Sequence, residues 1–260
     1  MPSRVISALV GVPSEDQEEL RRLVDGMFHI EPGVGMVNEK AATAGLALAG
    51  YLADLAAERR RSPREDMVTD LVNAEITDNT GGSRRLGTDE CVRFALLLYS
   101  AGTETVAKLL GNAAVILADH PAQLADLTAD PRLIPGAVEE LLRYEAPSPV
   151  QGRWTTRDVT LRGVDIPKDS KVLLLTGSAG RDPRAFDDPD RFDVRRAGQR
   201  HLAFGHGVHF CLGAALARLE GRVALEETLR RFPSWSVDHS RLERVHTSTV
   251  RGYASVPISV

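Results

Sequence analysis

The chain has 260 residues, 43% hydrophobic and 26% charged, an ordinary globular composition with material for one large or two small domains. Its 32 basic residues against 36 acidic ones leave a net charge of -4, which lacks the basic surplus that phosphate-backbone binding relies on and argues against nucleic acid as a partner. Two cysteines, Cys91 and Cys211, cannot build a disulfide framework, so both are expected as free thiols in a reducing cytoplasm.

The opening MPSRVISALVGVP has one basic residue and an apolar stretch broken at Ser7 and stopped at Pro13. It is too brief for a signal peptide or a membrane span, and a soluble protein is expected. Two helices meet at GVP, and Ser14 with Gln17 forms a capping-box pattern for the second, EDQEELRRLVDGMF. After the breaker EPGVG, residues 36–60 read as a long Ala/Leu helix whose basic end suits a C-terminus and which Pro63 stops. A shorter helix reaches Ala74. ITDNTGGSRRLG reads as a polar loop, after which Thr88 caps a helix from Asp89 to Ala118. Two more helices fit PAQLADLTAD and PGAVEELLRY. The composition then changes to β-branched alternation in RWTTRDVTLRGVDIPKDSKVLLLT, a small sheet with Gly163 and Pro167 at turns. The loop-rich RDPRAFDDPDRFDVRR leads to FGHGVHFCLG and a final helix, Leu212 to Phe232. The expected class is mainly α with a small β-sheet. A single domain over 1–260 is expected, helical over about 1–148, with the sheet, the cysteine loop and the last helix over 149–260.

Cys211 lies where a glycine-permissive loop turns into a helix, so its sulfur faces unpaired N–H groups and the positive end of the helix dipole, both of which favour thiolate. Gly205, Gly207 and Gly213 allow a positive φ or the close approach of a bulky group. Three chemistries are open here. Zinc could use His209 and Cys211, but no Cys-x-x-Cys supplies further ligands. A thiolate beside His206 or His209 could be a nucleophile. A thiolate could also hold haem iron.

The run F-G-x-G-x-H-x-C-x-G, here Phe204, Gly205, Gly207, His209, Cys211 and Gly213, resembles the haem-binding signature of the cytochrome P450 family. The resemblance implies that Cys211 is the proximal ligand of a b-type haem iron, that Phe204 packs beside the sulfur, and that His209 binds a propionate. Further motifs follow in the family's order. AGTET, Ala101 to Thr105, sits inside the long helix, where a glycine costs about 1 kcal/mol against alanine. It resembles the distal oxygen-activation groove: Gly102 lets the helix open, Thr105 offers a hydroxyl, and Glu104 is the acid of a proton relay. That acid–alcohol pair favours an oxygenase over a haem-thiolate isomerase, dehydratase or peroxygenase.

EELLR puts Glu140 and Arg143 one turn apart; read alone it is a surface pair worth little. The resemblance implies instead a buried triad with Arg191 of DPDRF. It also implies that Arg153 contacts a propionate and sets His201 near the haem edge, although a plain loop histidine reads equally well there. Gly180 stands where relatives commonly have Asn, which removes a hydrogen bond and little else. Cys91 reads as a small buried hydrophobe.

The resemblance runs over essentially the entire chain yet corresponds to the later part of the family's domain. The expected fold is therefore that of a cytochrome P450 lacking its N-terminal helices and part of its sheet. The implied function is a haem-dependent monooxygenase that inserts one oxygen atom of dioxygen into a small apolar substrate. No G-x-G-x-x-G follows a strand and there is no P-loop, so ferredoxin and ferredoxin reductase are expected as electron donors, with RRAGQR available to dock an acidic partner. The pocket is expected at FHIEPGVGMVN and around Leu97 to Ala101. The competing class is a haem-free homologue that serves as a partner or activator subunit, or has no function.

Overall fold

Proline at the first helical position and a left-handed glycine past the end bound α1 (Pro2–Val10); Gly11, at φ 92°, donates its N–H to Ser7 O. These features belong to a computed structural model that describes all of the chain except residues 31–32, 35–37, 78–80, 197, 199 and 248. The breaker EPGVG, the pocket segment FHIEPGVGMVN, the loop ITDNTGGSRRLG and the basic run RRAGQR therefore lie partly outside the described residues.

The capping box of α2 (Gln17–Met27) does not form. Asp16 precedes the helix, the Ser14 hydroxyl donates to Glu15, and Gln17 Nε2 donates to Val12 O. α3 (Glu39–Arg61) begins at Glu39 rather than 36, because Asn38 caps it by accepting the Ala41 N–H at 2.8 Å. α4 (Met67–Asn73) is capped by Asp66, which accepts the Thr69 N–H. Thr88 lies inside α5 (Thr88–Asp119) rather than before it, and its hydroxyl accepts from Arg60. α6 (Pro121–Ala129), α7 (Ile134–Tyr144), the single turn α8 (Thr176–Ala179) and α9 (Ala214–Arg231) complete the described helices.

The molecule is mainly helical, as the sequence predicts, but the expected small sheet is instead a set of separate antiparallel pairs. The first pair, β1 (Glu75–Thr77) with β2 (Ser83–Arg85), occupies the stretch read as a polar loop. β3 (Gln151–Trp154) pairs with β6 (Lys171–Leu174), setting Arg153 opposite Val172. β4 (Val159–Leu161) and β5 (Val164–Ile166) join through Arg162 at φ 51° and Gly163 at φ 80°, the two positive angles a tight hairpin turn needs. β7 (Ser236–Val237) pairs with β10 (Ile258–Ser259), and β8 (Glu243–Arg244) with β9 (Tyr253–Ser255).

The chain forms two compact units, Met1–Ala107 with His246–Ser248, and Lys108–Val245 with Thr249–Val260. Each has its own apolar core, and α5 supplies residues to both. In the first unit, Val24, Leu48, Leu52 and Tyr99 are buried together, with Cys91 only 1% exposed, as expected of a small hydrophobe. The buried Tyr99 and Ser7 hydroxyls share a hydrogen bond of 2.9 Å. In the second, α7 presents Ile134, Val138 and Leu141 at helical spacing to Leu109, Leu127, Phe192 and Leu225. Burying each such side chain contributes about 1.5–3 kcal/mol, which makes α7 a firm base for the polar groups it carries. Among the described residues, no helix is long and apolar enough to cross a membrane.

Candidate functional site

The cysteine loop belongs to the second unit and closes on itself. Phe204 O accepts the Cys211 N–H at 2.9 Å, Leu202 O accepts the Gly205 N–H at 2.9 Å, and Gly207 O accepts the Phe210 N–H at 2.9 Å. Gly205 and Gly207 both sit at φ 71°, the left-handed region that a side chain disfavours. Gly213, before α9, has φ -84° and carries no such requirement. Cys211 is exposed, and so are its neighbours Val208, Phe210 and Leu212, the last 73% exposed. The loop thus offers a thiol within an apolar surface. His209 is exposed in the short turn Gly207–His209, and Arg153 is exposed on β3, its Nη1 donating to Gly152 O.

Behind the loop the polar contacts are closely matched. Phe204 packs against the second core, and the guanidinium carbon of Arg218 lies 4.6 Å from its ring centroid. Arg218 in turn donates from Nε and Nη2 to the two oxygens of Glu139, at 2.7 and 2.9 Å. The Glu139 hydrogen bond comes first among the causes that hold the Arg218 pKa above its usual value; the Cys211 side chain adds a smaller attraction. The His201 side chain is 4% exposed and is not a plain loop histidine. Its Nε2 pairs with Glu139 Oε2 at 3.1 Å, and its Nδ1 accepts the Ala203 N–H. Both ring nitrogens are engaged within the protein, which leaves none to present at a haem edge. Burial pushes the Glu139 carboxyl up, but the hydrogen bonds from His201 and Arg218 outweigh it and bring the pKa down to about 2.

Glu140 and Arg143 form a buried ion pair, each side chain 2% exposed, with donations of 2.7 and 2.8 Å. The third guanidinium is not the expected one. Arg191 is 64% exposed at its side chain and pairs with Asp193, while Arg196 Nε reaches Glu140 Oε1 at 3.2 Å. Arg191 contributes its carbonyl instead, accepting from Arg143 and Arg196. Arg143 also donates to Gly180 O at 2.6 Å and to Pro189 O at 2.8 Å, and Glu140 accepts the Asp193 N–H at 2.9 Å. The loop over 180–196 is thereby fastened to α7. Gly180 matters more than the sequence implies, since a Cβ there would overlap the Arg143 carbonyl oxygen.

Ala101–Thr105 lies in the part of α5 that belongs to the first unit. Ser100, Thr103 and Thr105 each turn their hydroxyl back to a carbonyl four residues earlier, Thr105 to Ala101 O at 3.2 Å. With its hydrogen given to Ala101, Thr105 Oγ1 presents lone pairs outward. Glu104 is 8% exposed, and its charge contributes to raising the Arg21 pKa, behind the hydrogen bond that Arg21 donates to Glu18. Gly102 has a packing role that sequence reading missed: a Cβ would meet Ile6 Cγ1 of α1 at 2.7 Å. Phe94, Leu97 and Ala101, at helical spacing, are exposed along α5 and give this face an apolar character.

A model of the family described as Cytochrome P450 matches residues 132–252, the stretch that holds both the Glu140 network and the cysteine loop. A putative cytochrome P450 123 of Mycobacterium tuberculosis is 46% identical over 100% of this chain and 64% of that protein. The cytochrome P450 monooxygenase PikC of Streptomyces venezuelae is 41% identical over 99% of this chain and 61% of that protein. The crystal structure of CYP109E1 from Bacillus megaterium, in complex with corticosterone, superposes with a TM-score of 0.86 at 33% identity, over 99% of this chain and 69% of that one. The chain belongs to the cytochrome P450 family. It spans somewhat under two thirds of the length of these curated P450 relatives.

P450s carry haem iron, and the residues present suit that group. Among the described residues, no cluster of three or more His, Cys, Asp or Glu could hold a metal ion. A single exposed thiol in an apolar rim, as at Cys211, suits a metal that brings its other ligands with it. Glu139, Arg196 and Arg218 escaped the motif reading. Glu139 has no basic residue at i+3 of its own helix, and an acidic residue left over beside a matched pair was the available signal.

Proposed function

We propose that this P450 chain carries the haem-thiolate centre of a monooxygenase, with Cys211 as the residue that would hold the iron of a b-type haem, and that it acts on a small apolar substrate. The observation that carries the reading is the exposed Cys211 thiol on a loop closed by its own amide to Phe204 O. When bound, haem supplies the iron chemistry that activates dioxygen, and thiolate ligation favours O–O cleavage. Around it, His209 and Arg153 offer cationic or hydrogen-bonding groups to the propionates. Glu104 supplies the carboxyl of a proton relay, and Thr105 Oγ1, its hydrogen turned to Ala101, accepts a hydrogen bond from a proton-bearing group. Ala101 keeps side-chain bulk small on the exposed face of α5, while the missing Cβ of Gly102 makes room for Ile6. The exposed Phe94, Leu97 and Ala101 favour an apolar substrate. Electrons come from a ferredoxin and its reductase, consistent with a cytoplasmic protein that has two free thiols.

The test is haem uptake. The chain is expressed with a haem precursor, reduced and treated with carbon monoxide, and the Soret band is recorded. A red-shifted thiolate-type band that Cys211→Ala abolishes is expected. Absence of haem from the intact chain, or a band that survives Cys211→Ala, overturns the assignment.

A further inference from the structure

Among the described residues, no charged side chain reaches Cys211 through a direct hydrogen bond, yet one charged assembly stands a single residue behind it. Glu139 on α7 holds Arg218 on α9 by a two-point fork of 2.7 and 2.9 Å and holds His201 by a third contact of 3.1 Å. His201 Nδ1 accepts the Ala203 N–H, so the ring carries its proton on Nε2 and its orientation is set from both sides. Arg218 lies over the Phe204 ring at 4.6 Å, and His201 and Phe210 flank the same ring at 6.0 and 6.3 Å between centroids. The Phe204 carbonyl accepts the Cys211 amide. One carboxylate therefore fixes both the entry to the loop, at His201, and the cation that packs on Phe204.

We propose that Glu139 and Arg218 are positioning residues for the Cys211 thiolate. They hold Phe204 in the turn that orients the Cys211 amide, and they set a compensated pair of charges behind the loop. This rests on the reading of Cys211 as the haem ligand. Each partner balances the other: without Glu139 the Arg218 cation is uncompensated beside the loop, and without Arg218 the Glu139 anion is. A cation near the thiolate draws electron density from it and favours the reduced iron less strongly opposed by negative charge; an anion does the reverse. The two losses therefore push the iron reduction potential in opposite directions, whereas mere loosening of the loop pushes both the same way.

The experiment uses the chain with haem and without it, as wild type, Glu139→Gln, Arg218→Gln and Arg218→Lys. Both side chains are about a third or more exposed, so these variants leave the core intact. In the haem-loaded chain the potential rises in Glu139→Gln, falls in Arg218→Gln, and returns toward wild type in Arg218→Lys. In the haem-free chain the Cys211 amide exchanges its hydrogen about ten-fold faster in Glu139→Gln and Arg218→Gln. Potentials that move in the same direction, or unchanged amide exchange, overturn the proposal. A wild-type chain that takes up no haem removes the ligand assignment itself, and amide exchange then decides alone whether the fork orders the loop.

Discussion

Gly102→Ala separates packing from helix propensity at the centre of AGTET. Alanine is favoured over glycine inside a helix by about 1 kcal/mol, so on propensity alone the substitution stabilises α5. The new Cβ, however, would lie 2.7, 2.9 and 3.0 Å from Cγ1, Cδ1 and Cβ of Ile6. Carbon pairs prefer about 3.5–4.0 Å, so all three contacts are short. Ile6 is 5% exposed and packed in the first core, where α1 has little room to yield. Overpacking of this kind costs about 1–3 kcal/mol, and the net expectation is a destabilisation of about 0–2 kcal/mol. Ile6→Ala alone costs about 2–5 kcal/mol but removes two of the three clashing atoms. In that background Gly102→Ala becomes stabilising by about 1 kcal/mol, giving a coupling of about 1–3 kcal/mol between the two sites. Urea unfolding of the four proteins, followed by circular dichroism, reads this directly. Equal stabilisation by Gly102→Ala in both backgrounds would refute the close approach as the reason for the glycine.

The Glu140 network predicts unequal arginines: Arg196→Met lowers stability by about 1–3 kcal/mol in denaturant melts, because it strips a charged donor from buried Glu140 and from three loop carbonyls. Arg191→Ala stays within about 0.5 kcal/mol, since its side chain makes an exposed pair and its carbonyl remains; the opposite ranking would restore the motif assignment. Glu139 predicts an acid limb. Its folded pKa lies below the ordinary value of 4.5, at about 2, so its contribution is fully present above about pH 4.5 and is lost as pH falls toward 2. Glu139→Gln should flatten that part of an acid-unfolding curve relative to wild type, and an identical curve would contradict the pairing with Arg218 and His201.

Helix order, the burial of Cys91 and the need for glycine at 205 and 207 were legible because each depends on local chemistry: periodicity, volume, or one positive φ. Partner choice was not. Arg191 and Arg196 flank the same loop, and only the folded path of residues 180–196 decides that the second points inward at 13% exposure while the first points out at 64%. Gly102 and Gly180 read as a motif element and a neutral replacement, because the groups they accommodate, Ile6 and the Arg143 carbonyl, are distant in sequence. The β pattern read over 153–176 falls on strands that run over 151–174, but its short runs pair only two at a time, and alternation alone does not report how many strands join.

The tandem carboxylates of EELLR explain how one helix supports the whole approach to Cys211. Neighbours on an α-helix point about 100° apart, so Glu139 and Glu140 cannot serve the same partner. Glu140 faces inward, with Arg143, and takes the Asp193 amide and Arg196. Glu139, on the adjoining face, takes His201 and Arg218. Arg196 and His201 are thereby both held by one turn of α7, whose apolar side is buried in the second core. Every group in this double grip lies in the second unit, the same unit as the Cys211 loop. Order in the cysteine loop therefore draws on α7, α9 and the residues between them, and substitutions in Ala101–Thr105 should leave the Cys211 amide protected.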